Sequence, residues 1–154
     1  MIKLKDILFE STAPDIFVPR RVEDRVERYI KHYIKNGNKG NLNLNEKGLI
    51  ELPEILKDVI VNGYFNCAGN KLTNLKNSPK YVAGDFYCND NGLTSLEGVT
   101  EIIGGSFYCN HNKLTSLAGA PKKVGPFFKC SNNAVKFTEE QVRAVCDVKV
   151  KIYV

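Results

Sequence analysis

The chain has only two histidines among its 154 residues and no apolar run long enough to span a membrane. Neither His32 nor His111 stands at a recognisable spacing from a carboxylate and a nucleophile, so a catalytic triad has no support. Phosphate-loop, dinucleotide-binding, zinc-protease and calcium-loop motifs are also missing. These absences exclude the enzyme classes that short motifs identify. We predict a protein that is not an enzyme and that carries no cofactor or metal.

The first residues, from Met1 to Leu8, alternate charged and apolar side chains. A secretory signal or a transmembrane helix needs a continuous apolar core, so neither is predicted. The formal net charge of +5 permits contact with acidic partners, but it is far below the dense basic footprint of a dedicated nucleic-acid binder. We therefore expect a cytoplasmic protein that makes no contact with a membrane.

Five cysteines, an odd number, fit a disulfide framework poorly. Four of them recur every 21 residues, and on adjacent parallel strands they would stack roughly 4.8 Å apart. A disulfide needs Cβ atoms about 3.8 Å apart, and a straight row of thiolates cannot converge on one tetrahedral zinc. We interpret them as small buried apolar side chains in a reducing compartment. They are Cys67, Cys88, Cys109 and Cys130.

The residues around these cysteines recur with them. Phenylalanine precedes each cysteine by two positions, asparagine follows it by three, and leucine or valine follows it by five. Self-similarity at a period of about 20–50 residues is typical of a solenoid. An atypical first repeat has Leu42 and Leu44 in the phenylalanine and cysteine positions. The three series are Phe65, Phe86, Phe107 and Phe128; Asn70, Asn91, Asn112 and Asn133; and Leu72, Leu93, Leu114 and Val135.

Residues 105–117 resemble the leucine-rich repeat pattern, with Phe107 and Cys109 in the two strand positions and Asn112 in the asparagine position. The resemblance covers roughly residues 41–137. It implies an α/β solenoid of short, ~21-residue leucine-rich repeats with a parallel β-sheet. The asparagine amides are expected to satisfy backbone groups at the turn. The return segment of each repeat is too short for a full helix, so short turns or irregular backbone are predicted there.

The segments that flank the repeats are predicted to close the two ends of a single domain. Residues 1–40 form an extended segment followed by an amphipathic capping helix from Arg21 to Lys35. Residues 138–154 form a C-terminal cap, a short helix starting at Thr138 and then one alternating strand. The predicted inward residues are Val22, Val26, Tyr29, Ile30, Tyr33 and Ile34 in the first helix, Val142, Val145 and Cys146 in the second, and Val148, Val150, Ile152 and Val154 in the strand.

Strand residues that flank the inward phenylalanine and cysteine should face outward, because strand side chains alternate. Three outward columns follow, and tyrosine in the central one is a residue type favoured at protein interfaces. The alternative is that Tyr87 and Tyr108 only stack across strands. We predict binding of a protein partner through Tyr64, Asn66, Asp85, Tyr87, Asn89, Tyr108, Asn110, Phe127 and Lys129; Ser106 and Ser131 lie in the same columns.

The first helix carries a basic stripe that offers a second, weaker hypothesis, nucleic-acid binding. The competing interpretation is the solvated back of a capping helix. Interleaved Glu23, Asp24 and Glu27 dilute the positive field and favour that interpretation. The basic residues of the stripe are Arg21, Arg25, Arg28 and Lys35.

The overall plan, from the Met-Ile-Lys-Leu-Lys-Asp-Ile-Leu start to the Thr-Glu-Glu closing helix, resembles small leucine-rich-repeat proteins of tailed bacteriophages. That resemblance implies a phage protein in the host cytoplasm, with a host or phage protein as its partner, or else a virion structural or assembly component. The chain departs from the usual pattern by having Phe and Cys where leucine is usual, and Val135 in the last copy.

Overall fold

A computed structural model describes residues 22–154 of the chain. Helix α1 spans Val22–Lys35, a 3-10 helix spans Glu54–Asp58, and helix α2 spans Glu139–Val145. The strands, nearly all two residues long, are β1 (Leu42–Asn43), β2 (Ile60–Val61), β3 (Phe65–Asn66), β4 (Tyr81–Val82), β5 (Phe86–Tyr87), β6 (Ile102–Ile103), β7 (Phe107–Tyr108), β8 (Lys123–Val124), β9 (Phe127–Lys129), β10 (Asp147–Val148) and β11 (Lys151–Tyr153).

The strands build two parallel sheets, and the chain passes through both in every turn of the repeat, here called a coil. The odd-numbered strands form a six-stranded sheet in the order β1-β3-β5-β7-β9-β11. The even-numbered strands form a five-stranded sheet in the order β10-β8-β6-β4-β2. Neighbours in each sheet are successive coils, an arrangement consistent with the predicted repeat solenoid.

The predicted short turns and irregular backbone make up most of each return segment, as at residues 88–101, and the five-stranded sheet adds one two-residue strand per coil that the prediction did not include. In each strand of this sheet the first residue is exposed and the second is buried, as for Ile102 and Ile103. The main-chain groups pair with the adjacent coils; for example, the Gly104 N–H donates to the Val82 carbonyl at 2.9 Å. Regular pairing therefore satisfies this backbone without a helix.

The core is a stack of similar layers, as the spacing of the inward residues predicts, except that Val135 of the leucine series is 40% exposed. Phe65, Phe86, Phe107 and Phe128 are fully buried and meet edge to face, with ring centroids 5.1, 5.6 and 5.2 Å apart. Such edge-to-face contacts are favourable for aromatic rings. The cysteine series and the leucines at positions 72, 93 and 114 are also buried. Each layer therefore hides its apolar face only against the layers on either side.

The asparagine series satisfies backbone groups at the turn, as predicted, and it also joins successive coils. The Asn112 carbonyl oxygen accepts a hydrogen bond from the Leu93 N–H of the preceding coil at 3.0 Å. Its amide nitrogen donates to the carbonyls of Cys88 and Cys109, at 3.0 and 3.2 Å. Asn70, Asn91 and Asn133 repeat this pattern. One amide per coil thus satisfies backbone groups that the turn removes from the sheet.

A second ladder consists of residues with positive φ, two positions after the buried cysteine or leucine of each coil. The backbone N–H at each of the first four places donates to the next coil, as from His111 to the Ser131 carbonyl at 3.1 Å. Glycine, asparagine, aspartate and histidine are the residue types that enter this region most readily. The positions are Glu46 (φ 52°), Gly69 (66°), Asp90 (55°), His111 (54°) and Asn132 (56°).

Helix α1 rests on the first coil by a narrower stripe than predicted. Val26, Ile30 and Tyr33 are buried, and the Tyr33 hydroxyl donates to the carbonyls of Asn38 and Gly40 at 2.9 and 3.1 Å. The predicted inward residues Val22, Tyr29 and Ile34 are instead exposed, at 45%, 42% and 39%. The helix contacts the first coil only through the row of Val26, Ile30 and Tyr33, which are spaced by four and three residues. This row is the centre of a wider apolar arc, so the residues at the edges of the arc remain exposed.

The C-terminal segment has the predicted helix but not the predicted single strand. Thr138 caps α2 in a capping box with Gln141, and Val142 and Cys146 are buried. Val145, expected to face inward, is 44% exposed, since the seven-residue helix turns only one row toward the core. The alternating run from Val148 divides into β10 and β11, which join different sheets. A bend at residues 149–150 repeats the corner of earlier coils, so Val150 and Val154 are exposed.

Candidate interaction surface

The outward side of the six-stranded sheet brings most of the predicted binding residues together on one surface. We call this surface the sheet face. Register pairs Asn43 with Asn66, Asn66 with Tyr87, Tyr87 with Tyr108, and Tyr108 with Lys129, so the central column is continuous across the sheet. The side chains of the face that are neither buried nor fully exposed are Tyr64, Asn66, Asp85, Tyr87, Asn89, Tyr108, Phe127 and Lys129.

Aromatic contacts hold the middle of the sheet face in a defined arrangement. The rings of Tyr87 and Tyr108 stack at 4.7 Å with an interplanar angle of 9°. Tyr64 meets Tyr87 edge to face at 5.9 Å and 87°. The predicted alternative, stacking across strands, is therefore present, and it fixes the rings of Tyr87 and Tyr108 relative to each other.

Asp85 fixes the Tyr87 hydroxyl. The hydroxyl donates to Asp85 Oδ2 at 2.8 Å, and the Ser106 N–H donates to Asp85 Oδ1 at 2.7 Å. Gly105 permits this approach, because a Cβ there would collide with the Asp85 carboxylate. Partial burial, followed by the hydrogen bond and the negative charge of Asp85, raises the pKa of Tyr87 to about 12.

Amides dominate the end of the sheet face nearest α1. The side-chain oxygens of Asn43 and Asn66 accept from the N–H two residues further on, that of Asn66 from Ala68 at 2.9 Å. Asn41 reaches across to accept from the Tyr64 N–H at 3.0 Å. These bonds hold the amides against the strand ends, so this end of the face is polar, ordered and uncharged.

Asn110, predicted as an exposed binding residue, is buried with only 7% of its surface accessible. The same correction applies to Ser106, which is 2% exposed. Both positions have coils about 4.8 Å away on each side, so the cover comes from the residues that flank them on those coils and not from their own residue type. Asn89, in the same column as Asn110, stays accessible and donates to Asp90 Oδ2 at 2.6 Å.

The C-terminal strand extends the sheet face, which the sequence prediction missed. Phe127 and Tyr153 meet at 5.9 Å and 66°, and Lys151 Nζ lies 5.0 Å from the Tyr153 ring centroid. With Lys129, Lys151 makes this end of the face basic and aromatic. A signal was present: Val148 precedes Ile152 by four residues, as Val124 precedes Phe128, although the offset between the two pairs is 24 rather than 21.

The basic stripe on α1 lies apart from the sheet face. Arg25, Arg28 and Lys35 are exposed on the helix, and Arg21 lies outside the described residues. Exposed Glu23 and Asp24 share the surface, and Lys31 Nζ pairs with Glu27 Oε2 at 3.4 Å. The mixture of signs gives the stripe the character of a solvated helix back.

The periodic cysteines make inward hydrogen bonds. The thiols of Cys67 and Cys88 donate to the carbonyls of Tyr87 and Tyr108 in the next coil, each at 3.3 Å. Burial raises the pKa of both thiols well above the ordinary range, and that of Cys130 to about 11. Neutral buried thiols are inert packing groups. Over residues 22–154 no three His, Cys, Asp or Glu side chains are grouped to hold a metal, and no helix is long and apolar enough to cross a membrane.

Comparisons of the chain with protein-family models, with curated proteins and with solved structures yield no match.

Proposed function

We propose that the protein is a non-enzymatic protein–protein interaction module of the leucine-rich-repeat type, which binds its partner through the sheet face. The observation that carries the proposal is the ordered group of Tyr64, Tyr87 and Tyr108, locked by stacking and by Asp85. Tyrosine edges and hydroxyls offer apolar area and hydrogen bonds together, which is why interfaces favour this residue.

Preorganisation supports the same proposal. Binding normally costs about 0.5–1.5 kcal/mol for each flexible side chain that becomes immobile. The rings of Tyr87 and Tyr108 are already stacked at 4.7 Å, and the Tyr87 hydroxyl is already bonded. A partner that contacts this column would order few new groups, so the contacts that it makes would contribute to affinity.

The ends of the sheet face indicate what the partner presents. The uncharged amide end suits backbone groups and polar side chains, whereas Lys129 and Lys151 suit a carboxylate. We propose a protein with an acidic patch beside a polar or aromatic one. The resemblance to phage repeat proteins makes a bacterial host protein the first source to test.

The test is affinity capture from bacterial lysate, followed by a measured dissociation constant with the protein recovered. We expect Tyr87→Ala with Tyr108→Ala to weaken binding at least about 30-fold, equivalent to a hot spot of 2 kcal/mol or more. Tyr29→Ala is the matched control, since Tyr29 is an exposed tyrosine on α1, away from the face. A folded double variant that binds as tightly as the control would refute the assignment of the sheet face.

A further inference from the structure

The five-stranded sheet carries an exposed apolar ridge that the proposed function does not use. Ile60, Tyr81 and Ile102 are the first residues of the neighbouring strands β2, β4 and β6, and they are 43%, 37% and 49% exposed. Their strands pair in register, so the three side chains stand in one row, roughly 4.8 Å apart. Large apolar side chains that are exposed singly are normal on a protein surface, whereas a contiguous row of them indicates an interaction surface.

A rim of alternating charge borders this ridge. Lys80, Glu101 and Lys122 are exposed and immediately precede β4, β6 and β8. Lys122 Nζ and Glu101 Oε1 are 2.7 Å apart, which confirms that neighbouring rim residues are within reach of each other. Before β2 the corresponding position is held by Val59, which is buried. From β4 to β8 the charges of the rim are therefore positive, negative and positive.

The adjacent charges of Lys80 and Glu101 are complementary to their own reverse. A two-fold axis parallel to the strands and passing between β4 and β6 reverses the strand order and keeps the position along each strand. It places Lys80 opposite Glu101 of a second copy, twice. The same operation sets Tyr81 against Ile102 of the second copy. Isologous contacts of this kind form closed dimers.

We propose that the five-stranded sheet is a self-association surface, on which a second copy of this chain docks face to face about that axis. Ala83 and Gly104 follow the ridge residues of β4 and β6, and their small size leaves room for two sheets to approach at the usual spacing of about 10 Å. A larger residue cannot replace Gly104, because a Cβ there would collide with the Ala83 carbonyl oxygen.

The association is weak, because the face is small. Five strands at roughly 4.8 Å give a sheet about 24 Å wide with short strands, less than the ~800 Å² per partner of a standard interface. Exposed ion pairs add little affinity, although they set orientation. We expect a dimer with a dissociation constant of about 10 μM to 1 mM, which depends on salt.

Sedimentation equilibrium of the full chain tests the proposal, with charge reversal as the perturbation. Lys80→Glu alone and Glu101→Lys alone each place like charges opposite one another, so each is expected to weaken homodimerisation at least 5-fold. An equimolar mixture of the two variants restores both opposite-charge pairs, and we expect it to dimerise as well as the wild type. Lys71→Glu is the control, since Lys71 is exposed and lies outside both sheets.

Four results decide the matter. Wild-type protein that stays monomeric up to about 1 mM overturns the proposal. So does a dimer that neither single reversal weakens, or a mixture that dimerises no better than either variant alone. Tyr87→Ala with Tyr108→Ala should leave self-association unchanged, which separates this surface from the sheet face; loss of the dimer in that variant would place the contact on the sheet face instead.

Discussion

Replacing Asn112 with alanine should be one of the most damaging single changes in the repeats. The side chain is 8% exposed and bonds to two coils at once. Without it, the Leu93 N–H has lost its acceptor in a buried turn, at a cost of about 1–3 kcal/mol. The carbonyls of Cys88 and Cys109 each lose one donor, at about 0.5–1.5 kcal/mol apiece.

The two carbonyls keep other donors, which limits the total. Asn91 also donates to the Cys88 carbonyl and Asn133 to the Cys109 carbonyl, each at 3.2 Å. We therefore expect the free energy of unfolding to fall by about 2–4 kcal/mol in Asn112→Ala. Asn89→Ala is the matched control, because its amide bonds to Asp90 in its own turn, and it should cost less than about 0.5 kcal/mol.

Urea unfolding measures the total, and amide hydrogen exchange measures where it falls. In a solenoid each coil contacts only its neighbours, so protection should be lost first at the Leu93 N–H and in the adjoining turns. A change below about 1 kcal/mol, or equal loss of protection along the whole chain, would refute the view that this ladder joins the coils one by one.

Two other perturbations follow from single side chains. The pKa of Tyr87 is raised to about 12 in the folded protein, compared with about 10 in the unfolded chain. The stabilisation that Tyr87 contributes is therefore fully present below about pH 10 and is lost as the pH rises toward 12. Tyr87→Phe should remove this part of the pH dependence when the free energy of unfolding is measured from pH 8 to 12. Glu46→Gly should raise the free energy of unfolding by about 0.5–1 kcal/mol, because the left-handed strain of glutamate at φ 52° exceeds the chain entropy that glycine adds to the unfolded state. Lys47→Gly, where φ is not positive, should lower it. A lower free energy of unfolding in Glu46→Gly would contradict this account of the ladder.

The 21-residue spacing was sufficient to predict the stacked core and the role of the asparagines. The four copies after the atypical first repeat place Phe, Cys and Asn at the same distances, and parallel stacking then puts like residues in contact, as at Phe86 and Phe107. The division of the chain at residues 40 and 137 stays a prediction. The prediction that residues of the outward columns are accessible was correct where the side chains are large, as at Tyr87. It was wrong at Asn110, because the burial of a smaller residue depends on the residues that flank it.

The second sheet could not be predicted from local pattern. A strand such as Tyr81–Val82 has two residues, too few for a periodicity, and its pairing depends on coils before and after it. The C-terminal strand was misplaced for a related reason. The last coil contains α2, and the distance in sequence between Lys129 and its neighbour in the sheet, Tyr153, is 24 residues instead of 21. A search at the 21-residue period therefore does not pair the two residues, although they are paired in the sheet.

Because the coils stack in the same register throughout, the length of this protein can be changed by whole coils. Each coil meets its neighbours through the same phenylalanine, cysteine and asparagine contacts, so a coil removed between equivalent points, such as residues 84–104, leaves Phe65 beside Phe107, two partners of the kind already in contact. Every such addition or removal would lengthen or shorten both sheets by one strand, roughly 4.8 Å. Binding surfaces on either sheet can therefore be lengthened in steps of one coil while the contacts in the interior stay the same.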